Sequence, residues 1–345
     1  MRKNSTMVDY TKNQAREWAK QNWNGAIAVT MPSYTADFSG INDKAIAHDI
    51  TRLKELGFAG TLLVTELNVT PEENARITAV AREVGGPDFQ LFFHCSFNTL
   101  EENIRALTLA EKAGVDSVLL SYPTSYWPTS LDQVFDYTKA ICDSTDLGVM
   151  LFGLPAWGFE RIHPAGMPVP FVRTVLDEIP NIVAIKAEQG YPTIGGIMEM
   201  YHHFNGEVVI SCPIESETIP LMSVLDFQFS GTSNTNWMSD YFPRAFDLAR
   251  TGGWEEAMEL WWQVAPARAA NVAILSGSAV GTTVINRTGW KYQEWLAGFN
   301  GGALRGPAGR LPDRLMKQAR AALVASGLPV TDSPDEEFVR GRIPA

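Results

Sequence analysis

Cysteine is scarce in this chain, and several other absences narrow the field with it. The three cysteines, Cys95, Cys142 and Cys212, lie far apart with no Cys-x-x-Cys. That spacing excludes a disulfide scaffold and a cysteine-built zinc site, and it fits a reducing compartment. Basic charge is in deficit: 28 Lys and Arg stand against 39 Asp and Glu, a net charge of −11 with no blocks of one sign. Neither nucleic acid nor an anionic membrane is therefore expected as a partner. No apolar run is long enough to span a membrane. The opening MRKNSTMVDY lacks the apolar centre of a signal peptide, so a cytoplasmic location is the expectation. No glycine-rich dinucleotide fingerprint follows the first apolar run, which counts against a Rossmann fold.

What the chain does have is a repeated alternation. Eight short apolar runs, at 26–31, 60–65, 90–94, 117–121, 148–152, 182–186, 207–211 and 227–230, are each followed by a helical pattern. Asn42, Thr99, Ser130 and the run Thr70-Pro71-Glu72-Glu73 mark helix starts, with capping side chains and, in the last case, proline and acids in the first turn. Strand–helix alternation implies a parallel sheet with right-handed crossovers, and eight units predict a closed (β/α)8 TIM barrel. After Asn236 the strands stop. Helices are expected at 241–250, 254–274, 284–297 and 312–326. The organisation expected is a polar N-terminal arm (1–24), the barrel (25–235), a C-terminal helical extension (236–326) and an acidic, loosely ordered tail (327–345).

The run Ile182-Val183-Ala184-Ile185-Lys186 is the most informative. Alternation along a strand puts Ile182, Ala184 and Lys186 on one face and Val183 and Ile185 on the other. Two readings of Lys186 follow. It can snorkel out at the strand end, or it can point into a barrel lumen, lose its charge to burial and attack a ketone to form a Schiff base. Barrel chemistry sits at the C-terminal strand ends, which supply Thr30, Ser33, Thr65, Glu66, His94, Cys95, Ser96, Ser121, Tyr122, Tyr126, Phe152, Gly153, Ser211, Glu215, Ser216, Gly231, Thr232, Ser233 and Asn234. A ring of hydroxyls around one lysine suits a small 2-keto acid. Cys95 and Cys212 read as inert buried thiols, and His202 and His203 as helix-end residues with no metal.

Six pieces, taken in order, resemble the dihydrodipicolinate synthase and N-acetylneuraminate lyase superfamily of class I aldolases. They are Leu56-Gly57-Phe58-Ala59-Gly60, Thr70-Pro71-Glu72-Glu73, Ala110-Glu111-Lys112-Ala113-Gly114-Val115-Asp116, the lysine strand through Ala187, and Ser230-Gly231-Thr232-Ser233-Asn234 with Gly252-Gly253-Trp254-Glu255-Glu256-Ala257 after it. The resemblance implies a homo-oligomer, tetramer or dimer, in which pyruvate or a related 2-keto acid forms an imine with Lys186 and no cofactor is used. It also exposes departures. The family's Gly-Thr-Thr-Gly-Glu after the second strand is here Leu62-Leu63-Val64-Thr65-Glu66, and its Tyr-Asn-x-Pro after the fifth is Phe152-Gly153-Leu154-Pro155. Phenylalanine cannot carry a proton, so Tyr122 and Tyr126 become the expected proton carriers with Lys186 as nucleophile, and His94 and Glu66 stand in reserve. Thr65, Glu66, Ser121, Phe152, Gly231 and Thr232 are expected at the substrate, with Glu215 and Ser216 where sugar-acid lyases hold its distal part. The implied activity is a lyase, an aldolase or hydratase-aldolase. Aromatic residues near the mouth hint at a bulky aldehyde of the benzylidenepyruvate type. A dehydratase or deaminase of a sugar acid or cyclic imino acid, and a rewired non-catalytic barrel, are the alternatives.

Overall fold

The computed structural model describes residues 9–123, 125–188, 193–279 and 286–345. Gln189 and Gly190 beyond the lysine strand, Val284 and Ile285 of the expected third extension helix, and residues 1–8 of the arm lie outside these. Eight parallel strands carry the fold: β1 Gly25–Thr30, β2 Gly60–Leu63, β3 Gln90–Cys95, β4 Ser117–Leu120, β5 Gly148–Gly153, β6 Ile182–Ala187, β7 Val209–Ser211 and β8 Phe229–Ser230. The helix α1 (Ala15–Asn22) precedes them. Between strands run α2 (Asp43–Glu55), α3 (Pro71–Gly85), α4 (Leu100–Ala113), α5 (Leu131–Asp143), α6 (Val169–Glu178), α7 (Thr193–Phe204) and α8 (Glu215–Leu221). The C-terminal helices are α9 (Tyr241–Arg250), α10 (Trp254–Gln263), α11 (Ala265–Ala279), α12 (Arg287–Leu296) and α13 (Asp313–Ala325). The expected caps form: the side chains of Asn42, Thr70, Thr99 and Ser130 each accept from the backbone N–H three residues on.

The sheet runs β7-β6-β5-β4-β3-β2-β1-β8, a TIM barrel with one seam between its end strands. Side chains close that seam. Ser211 Oγ donates to Gly231 O (2.8 Å) and accepts from Gly231 N (3.1 Å), and Ser230 Oγ donates to Cys212 O (2.8 Å). Gly231 is needed there for a close approach, because a Cβ would lie 2.6 Å from Ile27 Cβ.

The expected face assignment of β6 needs correction. Val149 pairs with Ile182 but Met150 pairs with Ala184, so Val183 is an extra residue, a β-bulge. The bulge shifts the alternation. Ile182 joins Ile185 and Ala187 against the outer helices, while Ala184 packs with the inner cluster and Lys186 opens into the lumen.

The polar arm does more than its composition promises. Its helix α1 buries Ala15 and Ala19 beneath the barrel, and Trp23 closes the bottom of the lumen between the rings of Phe92 (centroids 4.9 Å apart) and Phe229 (5.4 Å). Arg16 Nε donates to Ile182 O (3.0 Å), pinning the start of β6.

Two further expectations fail for identifiable reasons. The helix expected over 254–274 is two helices, α10 and α11, because Pro266 in the first turn of α11 cannot donate to the preceding turn. Ser326 Oγ accepts the Ala267 N–H instead (3.1 Å). The tail is not loose: Phe338 is buried edge-on to Tyr292, and Asp335 accepts from Arg320 Nε (3.0 Å). Acidic composition hid that partner on α13. Among the described residues, no helix is long and apolar enough to cross a membrane.

Replacing Ser211 with Ala strips the seam of both its bonds to buried Gly231. The expected loss is about 1–3 kcal/mol of unfolding free energy, read as a lowered urea midpoint with an unchanged m-value.

Candidate active site

The lumen fills with apolar side chains from below, and a cavity of about 380 Å³ opens above them at the C-terminal strand ends. Val29, Leu62, Val64 and Leu119 line its inner part, and Lys186 reaches into it from β6. The lysine is 6 % exposed. Its Nζ donates to Thr232 O (2.9 Å), lies 3.8 Å from Glu188 Oε1 and sits 4.0 Å from the centre of the Phe152 ring. Register explains the grouping, since Lys186 is paired with Phe152 on β5 and Ser211 on β7. Burial pulls the Lys186 ammonium down to about 8; the negative Glu188 resists and Arg287 adds to the fall. The neutral fraction near neutral pH is thereby far larger than for an ordinary lysine, and the neutral amine is what attacks a carbonyl.

A second polar row crosses the opposite wall. Ser121 Oγ and His94 Nε2 share a hydrogen bond of 3.1 Å, Glu66 Oε1 stands 3.9 Å from the same nitrogen, and the other Glu66 oxygen is paired with Arg287. Arg287 in turn stacks over Trp290, 4.5 Å from the ring centre. Burial drives His94 down to about 4, against the pull of Glu66, so the imidazole is neutral. Burial pushes the Glu66 carboxyl up, but the Arg287 guanidinium more than offsets it and it stays below the usual range. At the mouth, Glu215 accepts from Arg268 through both oxygens (2.7 and 2.8 Å) and from the Tyr241 hydroxyl (2.8 Å).

Of the residues singled out in the sequence, Lys186, Glu66, His94, Ser121, Phe152, Glu215, Ser216, Thr232, Ser233 and Asn234 line this cavity. Four expected site residues do not. The Tyr122 hydroxyl is bonded to Thr138 Oγ1 (2.6 Å) on α5, and its ring stacks on Tyr126, whose hydroxyl donates to Gln133 O (2.7 Å). Both tyrosines belong to the aromatic layer outside the strands, because β4 turns Ser121 inward and its neighbour outward. Thr65 donates its hydroxyl to His94 O (2.9 Å), tying β2 to β3. Gly231 serves the seam. Cys95, Cys142 and Cys212 are all buried free thiols.

The sequence reading missed Glu188, Arg268, Asn271, Arg287, Trp237 and Trp290, all of which line the cavity. Glu188 had a signal: two residues beyond an inward lysine, it shares that side of the strand. The others come from the segment after β8 and from α11 and α12, which roof the mouth, and no local pattern points them there.

Between about pH 4 and 6.5 an unfolded chain takes up the His94 proton and the folded chain does not, so acidification through that window costs stability. Replacing His94 with Gln should remove roughly 2 kcal/mol of the pH dependence between pH 7 and 4.5. Urea melts of both proteins at pH 4.5 and 7 measure it.

Comparison with known proteins places this geometry. The model of the dihydrodipicolinate synthetase family matches residues 58–267, more than half of the chain. The 4-hydroxy-tetrahydrodipicolinate synthase of Bacillus subtilis is 30% identical over 163 residues, which cover 46% of this chain and 54% of that protein. The chain spans about half the length of such curated relatives. Among solved structures, dihydrodipicolinate synthase from Aquifex aeolicus superposes with a TM-score of 0.75 at 17% identity, covering 90% of this chain and 100% of that one. N-acetylneuraminate lyase from Fusobacterium nucleatum gives 0.70 at 16%, covering 87% and 97%. With its buried lysine at the mouth of an eight-stranded barrel, the chain belongs to the dihydrodipicolinate synthetase family.

Proposed function

We propose that this protein is a Schiff-base lyase of the class I aldolase type, acting on pyruvate or a pyruvate-derived 2-keto acid through Lys186. The observation that carries the reading is the lysine itself, an amine lowered to about 8 by burial in an apolar lumen beneath an open cavity. Attack of Nζ on the ketone and loss of water leave a protonated imine, an electron sink that stabilises the carbanion made or consumed when the adjacent carbon bond changes. The imine fills the role of a cofactor, so none is assigned. Membership of the family supports this chemistry.

The proton carriers are reassigned. With Phe152 in the place of a hydroxyl and both tyrosines turned outward, Ser121 and the neutral His94, backed by Glu66, are the groups we assign to the substrate side of the imine. The apolar part of the lining favours a bulky partner. Phe152, Leu154, Trp157, Trp237 and Trp290 present rings and apolar carbon to the cavity, and Val272 stands at its rim. An aromatic aldehyde, released from a hydrated benzylidenepyruvate or condensed with pyruvate, fits such walls through ring packing. Glu215 and Ser216 face the distal part of the substrate. We expect the working form to be a homo-oligomer.

Incubation with pyruvate and borohydride should leave a covalent adduct on Lys186, located by peptide mass, and Lys186→Ala should leave none. An unmodified Lys186 would end the Schiff-base reading. A benzylidenepyruvate should yield pyruvate and the aromatic aldehyde. Turnover of a sugar acid with no aldehyde released would instead favour dehydration or deamination through the same imine.

A further inference from the structure

Glu188 takes no part in the chemistry described so far, yet it is the carboxylate set against the reacting nitrogen. Its Oε1 lies 3.8 Å from Nζ, and the residue lines the cavity. Its position is fixed by the sheet, because the Glu188 N–H donates to Gly153 O (3.0 Å) and so prolongs the β5–β6 ladder by one residue. The other described groups against Nζ are the ring of Phe152, which can transfer nothing, and the Thr232 carbonyl, which can only accept. Beyond Glu188, on α8, is Glu217, whose Oε2 is buried with no hydrogen-bond partner among the described residues.

We propose that Glu188 is a catalytic acid–base residue of the imine-forming step, exchanging protons with the Lys186 nitrogen and with the substrate oxygen that departs as water. The inference rests on the Schiff-base reading above. The pair begins with one proton between its two sites, and the reactive arrangement is neutral amine with carboxylic acid. Nζ adds to the carbonyl carbon, and a proton passes from nitrogen to oxygen to give the carbinolamine. Glu188 then protonates that hydroxyl, the C–O bond breaks, water leaves, and the nitrogen lone pair forms the C=N bond. Amine, ketone and carboxylic acid have become protonated imine, water and carboxylate. The new positive nitrogen is left beside the new negative oxygen. Burial favours this arrangement at both ends, raising the Glu188 carboxyl, with Glu217 adding to the rise, and lowering the Lys186 ammonium. The other charges that reach Nζ are Arg287 and Glu66.

Only the singly protonated pair is reactive, so the rate of imine formation must be bell-shaped in pH, its two limbs belonging to the pair as a unit. The experiment is borohydride trapping of pyruvate on Lys186, quenched over time across pH 5 to 10 and quantified by intact mass. In Glu188→Gln the amine titrates alone. The bell should become a single rising limb, and the rate at the wild-type optimum should fall about 100-fold. Glu188→Asp should restore a bell at an intermediate rate. Glu217→Gln keeps the reacting pair, and it should move the acid-side limb to lower pH by removing the neighbouring negative charge. Wild-type rate and an intact bell in Glu188→Gln would overturn the assignment of Glu188 alone, as would a Glu217→Gln profile identical to that of wild type. No adduct on the wild-type protein would overturn both this inference and the reading it rests on.

Discussion

An ammonium group deprived of water is the constraint from which the rest of this structure follows. In solution the three N–H donors of a lysine are all met by water. Here Nζ has one backbone carbonyl, one carboxylate at 3.8 Å and one aromatic face. That is too little to keep the charge at its ordinary strength. Each supporting element has its own cause. The bulge at Val183 turns the side chain inward, the serine-closed seam sets the Thr232 carbonyl in place, and the plug at Trp23 keeps the lumen shut from below.

The remaining charges at the mouth come in matched sets. Arg287 answers Glu66, and Arg268 answers Glu215. A buried pair adds little to stability beyond its own desolvation cost, but a lone member would be costly. Pairing therefore keeps the wall polar without placing a second uncompensated charge near the lysine. The β8 loop is held from behind as well. Asn234 and Asn236 donate to Glu294 Oε1 (2.8 and 3.1 Å), so the segment carrying Thr232 is braced by α12.

The sequence carried the barrel well because barrels are made of local signals. Capping residues, alternating apolar runs and turn glycines each act within a few positions, and the strands and caps formed where those signals stood. The lysine was legible for the same reason. The site around it was legible only in part. Position at the strand ends found Ser121, His94 and Thr232, and the alternation read through Lys186, carried two residues further, would have found Glu188. Tyr122 misled because a tyrosine one position beyond an inward serine points to the helices. The face of Ile182 was misjudged because a bulge leaves no mark in an apolar run. Arg268, Arg287, Trp237 and Trp290 were invisible for a different reason: they reach the site through tertiary packing of the C-terminal third, which no short stretch encodes.

Glu66 and Arg287, the pair on the far wall, are separated by 221 positions. A ribosome must therefore make most of the chain before the acid meets its base. Until then Trp290, carried on the same helix as Arg287, is missing from the cavity wall as well. The cavity around Lys186 is thus completed only by the last third of the chain.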